Sequence, residues 1–191
     1  MNTTLFIKNM VCGRCIKVVK SDLESLGHKV INISLGEAVV ANDINQAGYS
    51  KLKEVLEDDG FELLEDKKAK IIEQIKIAVI NRIHHTDIPD DINFSEYLEK
   101  ELDLDYNYLS SLFSSTENIT IEHYIISQKI EKAKELLKYG ELTLSEIAYK
   151  LGYKSVQHLS NQFRQITGFT ASSFKNLTDN KRKSLDKVNN T

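Results

Sequence analysis

The sequence predicts an α+β protein in which a small mixed module precedes an all-helical domain. The hydrophobic period alternates between strand and helix over positions 1–65 and stays helical afterwards, where the segment at 94–113 recurs at 144–163. The chain has 191 residues, 41% of them hydrophobic, and one proline, so it can form two small domains and lacks the frequent turns of an all-β protein.

Apolar spacing in residues 1–66 predicts the element order βαββαβ. A short strand at Leu5 to Ile7 precedes a helix that stops at Gly27, and two further strands meet at Gly36. A second helix stops near Gly60, and a last strand follows it. This order is that of a ferredoxin-like, open-faced α/β sandwich. The charged run after it is either a short linker or the start of the next helix.

An internal repeat predicts the architecture of residues 70–178. Residues 94–113 laid over residues 144–163 give six identities without a gap. Each copy begins with a capping-box pattern and predicts a short helix, a turn and a second helix, which is a helix-turn-helix unit. The predicted parts are the two units at about 93–115 and 143–167, a long helix near 121–139 between them, and a mobile tail at 179–191.

The polar face of the second helix in each unit predicts contacts with DNA. Asn and Gln can pair with adenine through two hydrogen bonds, and Arg can pair with guanine or phosphate. The helix of the earlier unit has no positive charge, so we expect weaker or more indirect contact there. The predicted DNA-binding residues are Gln157, Ser160, Asn161 and Arg164 in the later unit, and Asn107, Ser110 and Ser111 in the earlier one.

Charge is unevenly distributed, although the formal net charge is only −3. Residues 87–117 hold nine acidic residues against one lysine, whereas residues 119–187 hold twelve basic and seven acidic residues. A basic surface attracts the phosphate backbone of a nucleic acid. We therefore expect the phosphate contacts in the later part of the chain.

Three ordered segments of the helical domain form a long signature: Lys134 to Leu137, Leu144 to Tyr153 and Leu159 to Thr170. Through them, residues from about 71 to 176 resemble the DNA-binding domain of the AraC/XylS family. The resemblance implies a cytoplasmic bacterial transcription regulator whose partner is double-stranded DNA. It also implies that the two units read major-groove faces roughly 34 Å apart. A homodimer is left open.

The two cysteines of the chain, Cys12 and Cys15, lie between the first predicted strand and the first helix. Two thiolates at a helix N-terminus can converge on one ion, and the helix dipole favours their ionised form. Two soft ligands suit Cu(I), whereas Zn(II) needs further ligands. A redox-sensing dithiol and a structural remnant kept for dimerisation are the alternatives.

The loop from Met10 to Cys15, the βαββαβ order and the Gly60-Phe61 pair together resemble a heavy-metal-associated domain, as in copper chaperones. The resemblance implies that Cys12 and Cys15 bind Cu(I) or another soft metal ion. It also implies that Met10 packs beneath the loop and that Phe61 shields the site.

The sequence contains no nucleophile elbow, phosphate-binding glycine loop or paired carboxylates at fixed spacing, so we do not expect an enzyme. The start of the chain has no signal-peptide pattern, and no window reaches about 18 consecutive apolar residues, so we expect no membrane insertion. The rival to a metal-responsive or thiol-responsive regulator is a metallochaperone or metal buffer with a helical interaction module.

Overall fold

A computed structural model describes residues 2–41, 43–86, 93–177 and 185–188. The chain divides into two units, Met1–Ile77 and Ala78–Thr191. The domain limits expected from the sequence, 1–66 and 70–178, stay predictions. Among the described residues, no helix is both long and apolar enough to cross a membrane.

The N-terminal unit begins with four strands and two helices. They are β1 (Asn2–Lys8), α1 (Gly13–Ser25), β2 (Val30–Ser34), β3 (Glu37–Ala41), α2 (Gln46–Asp58) and β4 (Glu62–Leu63). The predicted order βαββαβ is therefore confirmed. The strands form one sheet in the order β2-β3-β1-β4, and the three described pairings are antiparallel. The ferredoxin-like classification stays a prediction.

Alternation along the central strands builds the core of this unit. Leu5 and Ile7 of β1 are buried, as are Ala38 and Val40 of β3, because side chains two positions apart share a face. Residues four apart on each helix cover that face: Val19 and Leu23 from α1, and Leu52 and Leu56 from α2. The loop between β1 and α1, which ends at Cys12 and is followed by Cys15 in the first turn of α1, is thus fixed at both ends by buried elements.

A single helix, α3 (Lys67–His84), follows β4. The charged run in front of the helical domain is therefore the start of a helix and not a flexible linker. Asp66 supports this start, because its side chain accepts the backbone N–H of Ala69 at 2.9 Å. The boundary between the two units falls inside α3, after Ile77.

Where it is described, the C-terminal unit is helical, and further helices follow the end of α3. They are α4 (Phe94–Leu102), α5 (Tyr106–Glu117), α6 (Ile121–Tyr139), α7 (Leu144–Lys150), α8 (Val156–Thr167), α9 (Ala171–Lys175) and a 3-10 turn at Leu185–Lys187. The predicted repeat is visible in the backbone, since α5 and α8 begin and end at equivalent positions of its two copies. The sequence did not predict α9.

The repeat extends past the segment in which the sequence revealed it. α5 and α8 both end at a residue with left-handed backbone, Asn118 and Gly168, and a threonine N-cap follows each after one residue. Phe113 and Tyr124 then pack with ring centroids 5.6 Å apart, and the rings at the equivalent positions, Phe163 and Phe174, do so at 5.5 Å. Each helix-turn-helix unit is thus closed by the start of a third helix.

Four residues of the predicted mobile tail are described, and for them the structure differs from that expectation. Val188 is buried, and the Leu185 carbonyl accepts a hydrogen bond of 3.1 Å from Gln128 of α6. The buried Gln128 amide needs such an acceptor. The rest of the segment at 179–191 lies outside the described residues.

Gln128 also fixes the end of α3. Its amide nitrogen donates to the Tyr124 hydroxyl and to Leu185, so its Oε1 is the acceptor for Nε2–H of His84 at 3.0 Å. Burial lowers the pKa of His84 to about 4, although the bond to Gln128 acts in the opposite direction. His84 is therefore neutral in the folded protein near pH 7.

We expect acid to destabilise the C-terminal unit through His84. Its pKa in the folded state lies below that of the unfolded chain, so its stabilising effect is present above about pH 6.5 and is lost between about pH 6.5 and 4. The loss at pH 5 is about 2 kcal/mol relative to pH 7.5. Urea unfolding of the full chain at both pH values measures it. His84→Gln, which cannot titrate, is the control, and an equal pH dependence in both proteins would contradict this account.

Candidate nucleic-acid interface and cysteine pair

The second helix-turn-helix unit is held by hydrogen bonds at each helix start. The predicted capping box is present at α7: Thr143 accepts the backbone N–H of Glu146, and the Glu146 carboxylate accepts that of Thr143. The turn contains Gly152 with φ of +66°, a conformation that favours glycine. Ser155 then caps α8 by accepting the backbone N–H of His158. These contacts fix where α8 begins.

One face of α8 is buried and the opposite face is exposed. Leu159 and Phe163 are fully buried in a cluster with residues of α6, α7 and α9. On the other face Gln157, Asn161 and Arg164 are accessible, and Ser160 is half-buried. The Gln157 amide donates to Oδ1 of Asn161 at 2.9 Å, as residues four apart on a helix can. The later set of predicted DNA-binding residues is therefore together on one accessible face.

The buried face of α8 is shorter than the apolar pattern indicates. The helical spacing of Val156, Leu159, Phe163 and Ile166 predicts that all four line the buried face, but Ile166 is 39% exposed. It lies in the last turn of α8, which ends at Thr167 with Gly168 as the C-cap. Ile166 is thus a correction to the predicted core and not to the predicted interface.

The first unit has the same layout with different capping. Asn93 accepts the N–H of Ser95, and its amide donates to the Glu96 side chain, so the capping box predicted there is replaced by another arrangement. In α5, Asn107 and Ser111 are exposed and Ser110 is half-buried. The earlier set of predicted residues is accessible too.

The two second helices differ in charge. α5 contains no lysine or arginine, and the exposed Asp103 and Asp105 precede it. α8 carries Arg164, and the exposed Lys154 stands directly before its N-cap. The sequence reasoning did not single out Lys154, although a basic residue next to a helix N-cap was a usable signal. Phosphate contact is therefore favoured at α8.

The cysteine pair lies at the start of α1. Cys12 is the N-cap residue, and Cys15 lies in the first turn of the helix. Their sulfur atoms are 3.4 Å apart, and both residues are partly exposed. Met10 is fully buried and Phe61 is 8% exposed, and the roles that the resemblance implies for them stay predictions.

The donor set fits a soft ion with few ligands. Two sulfurs bound to one zinc ion in tetrahedral geometry lie about 3.8 Å apart, which is close to the separation here. The described residues contain no group of three or more His, Cys, Asp or Glu side chains that could complete a closed zinc site. Two sulfur ligands alone are a donor set that Cu(I) accepts, whereas Zn(II) needs further ligands.

The two thiols differ in acidity. Burial acts to raise the pKa of Cys12, but hydrogen bonds from the Cys15 backbone and thiol, together with Arg14, outweigh it and lower the pKa. Burial raises the pKa of Cys15, and the neighbouring Cys12 adds to that effect. The pKa of the Cys12 thiol is thus the lower of the two, as an N-terminal position on a helix favours.

Comparison with known proteins gives matches for the C-terminal unit. Residues 98–176 match the family model described as "Helix-turn-helix domain". The chain is 29% identical over 97 residues to the uncharacterized HTH-type transcriptional regulator YtdP of Bacillus subtilis. This alignment covers 51% of this chain and 12% of YtdP. It is 33% identical over 69 residues to an uncharacterized HTH-type transcriptional regulator encoded in the cgkA 5' region of Pseudoalteromonas carrageenovora, covering 36% of this chain and 40% of that protein.

A solved structure shares the fold of this unit. The C-terminal domain of AraT, a response regulator from Geobacillus stearothermophilus, superposes with a TM-score of 0.51 at 20% identity, covering 62% of this chain and 95% of that domain. The chain spans between 12% and 40% of the length of the curated relatives it matches. The family match begins at Leu98 and does not include the N-terminal unit.

We expect Cys12 to be alkylated before Cys15 at neutral pH, because only the thiolate reacts and Cys12 has the lower pKa. Trypsin cuts after Arg14 and separates the two cysteines, so peptide mass spectrometry after brief iodoacetamide treatment follows each one. The urea-unfolded chain, in which the folded environment is absent, is the control. Equal rates in the folded protein, or faster reaction of Cys15, would show that the described hydrogen bonds do not set the acidities.

Proposed function

We propose that this chain, whose residues 98–176 match the helix-turn-helix family model, is a sequence-specific DNA-binding transcription regulator of the AraC type that responds to a soft metal ion or thiol state. The main support for DNA binding is the exposed polar face of α8, which lies opposite the buried Leu159 and Phe163. The names of the curated relatives, which are HTH-type transcriptional regulators, support it.

In the proposed complex α8 lies in the major groove. The bond between Gln157 and Asn161 uses one donor of Gln157 and the acceptor of Asn161, so Oε1 of Gln157 and Nδ2 of Asn161 can meet base edges. Arg164 binds guanine or phosphate, and Ser160 and Lys154 add phosphate contacts. Asn107, Ser110 and Ser111 of α5 contribute less, because acidic residues precede them and no cation of α5 accompanies them.

In the N-terminal unit Cys12 and Cys15 are the proposed ligands of Cu(I) or another soft ion. A bound ion would hold both sulfurs as thiolates and so fix the start of α1. Met10 supports the loop from beneath, and the buried Phe61 limits access of water. If the chain responds to thiol state instead of a metal ion, an external oxidant converts the two thiols reversibly into a disulfide between the same sulfurs.

Arg164→Ala and Asn161→Ala should each weaken binding to an operator selected from random double-stranded DNA by about 1 to 3 kcal/mol, because each removes a base or phosphate contact. Fluorescence anisotropy measures this loss. The dependence of affinity on salt should also become less steep in Arg164→Ala, by about one phosphate.

Lys51→Ala is the matched control for that experiment. It removes the same charge from the exposed surface of α2, where Lys51 lies 4.0 Å from Glu54, and should change affinity little. Equal losses in Arg164→Ala and Lys51→Ala would mean that only net charge matters. No sequence-selective binding by the wild type would favour the metallochaperone or metal buffer instead.

Metal binding by Cys12 and Cys15 is tested by titrating the reduced full chain with Cu(I), and then with Zn(II), in competition with a chromophoric chelator. We expect one Cu(I) per chain and weaker Zn(II) binding, because two thiolates satisfy the first ion and not the second. Cys12→Ser/Cys15→Ser is the control and should lose the tight Cu(I) site. Cu(I) binding that persists in the control, or is absent from the wild type, would contradict the proposed metal response.

A further inference from the structure

The segment before Cys12 is bonded to α3, a helix that follows the βαββαβ segment. The backbone N–H of Asn9, three residues before Cys12, donates to Oε1 of Glu73 at 3.0 Å. Glu73 lies on α3 and is only 7% exposed. A carboxylate this buried is costly unless it accepts hydrogen bonds, so the contact with Asn9 is part of what keeps Glu73 in place.

Asn9 is itself held firmly. Its backbone has φ of +72°, in the left-handed region, and its side-chain amide donates to the Gly60 carbonyl at 2.9 Å. The next residue, Met10, is fully buried. The segment before Cys12 therefore has one defined backbone path, and a shift of the cysteines acts directly on the Asn9–Glu73 bond.

The same side of α3 contacts the sheet above and below Glu73. Nζ of Lys70 lies 4.9 Å from the centre of the Phe6 ring of β1. A Cβ placed on Gly36, in the turn between β2 and β3, would lie 2.0 Å from Cδ1 of Ile77. Positions 70, 73 and 77 share one helix face. The first half of α3 is thus packed lengthwise on the part of the N-terminal unit that carries the cysteines.

The second half of α3 belongs to the C-terminal unit. The Ala78 carbonyl accepts the hydroxyl of Tyr97 of α4 at 3.3 Å, and His84 is bonded to Gln128 of α6. α3 continues as one helix from Glu73 through Ala78 to His84. One helix is therefore bonded at one end to the cysteine loop and at the other to helices of the DNA-binding unit.

We propose that Glu73 is the positioning residue through which metal binding at Cys12 and Cys15 reaches α3 and, along it, the DNA-binding unit. This inference rests on the metal response in the proposed function. Ligation fixes the backbone from Asn9 to Cys12, which strengthens the bond to Glu73 and stabilises the first half of α3. Without the Glu73 carboxylate, the ion still binds but α3 does not respond.

Hydrogen exchange of the full chain with and without Cu(I) tests this directly. In the wild type, Cu(I) should slow the amides of α3 about fivefold or more, and should change affinity for the selected operator by a similar factor. Glu73→Ala should bind one Cu(I) per chain yet show neither effect. Glu73→Gln, which retains the acceptor oxygen, should keep both. Glu54→Ala, which removes an exposed glutamate from α2 of the same unit, should behave as the wild type.

The outcomes separate the two proposals. Cu(I) binding by the wild type without a change in α3 exchange, or an unchanged response in Glu73→Ala, overturns the role of Glu73 and leaves the metal site standing. Absence of Cu(I) binding by the wild type overturns the metal response, and the role of Glu73 falls with it. If circular dichroism shows that Glu73→Ala is unfolded, the wild-type experiment tests the role of Glu73 by itself. Equal exchange rates of the α3 amides with and without Cu(I) are then sufficient to refute that role.

Discussion

Burial of Leu159 and Phe163 is the constraint on which the proposed DNA-binding surface depends. These side chains fix the rotation of α8 about its own axis, and so determine that Gln157, Asn161 and Arg164 face outward. Phe174 of α9 packs edge-on against Phe163 at 5.5 Å, which closes the unit behind the recognition face. A polar helix face becomes a reading surface only when the opposite face is held in this way.

In the two copies of the helix-turn-helix unit, the buried residues are alike and the exposed residues differ. Leu109 and Phe113 repeat Leu159 and Phe163 in the first unit and are equally buried. The outward residues have not stayed alike: α5 presents serines and an asparagine after two aspartates, whereas α8 presents amides and a cation. The core layer is therefore shared by the two units, and the difference in expected DNA contact comes from the exposed residues alone.

Much of this organisation follows from local sequence signals. Strand and helix periods predicted βαββαβ, the internal repeat predicted the paired helices, and Thr143 with Glu146 predicted a capping box that is present. The grouping of Cys12 with Cys15, and of Gln157 with Asn161, follows from spacing within one helical turn or two. Their roles in metal and DNA binding stay predictions.

The features that the sequence did not predict are one very short helix and several contacts between residues far apart in the chain. α9 has five residues, too few to show a helical period. The bonds from His84 to Gln128 and from Asn9 to Glu73 join residues 44 and 64 positions apart, and no local pattern predicts such pairs. Val188 is buried within a segment whose polar composition indicates a mobile tail, because composition does not show which apolar residue finds a partner.

In the proposed mechanism the cysteine pair controls the helix-turn-helix unit. The affinity of the reduced full chain for its selected operator, measured at constant salt with and without one equivalent of Cu(I), tests this control. The account predicts a change of about fivefold or more in the wild type and none in Cys12→Ser/Cys15→Ser. Equal affinities with and without Cu(I) in a wild-type chain that binds the ion would contradict it.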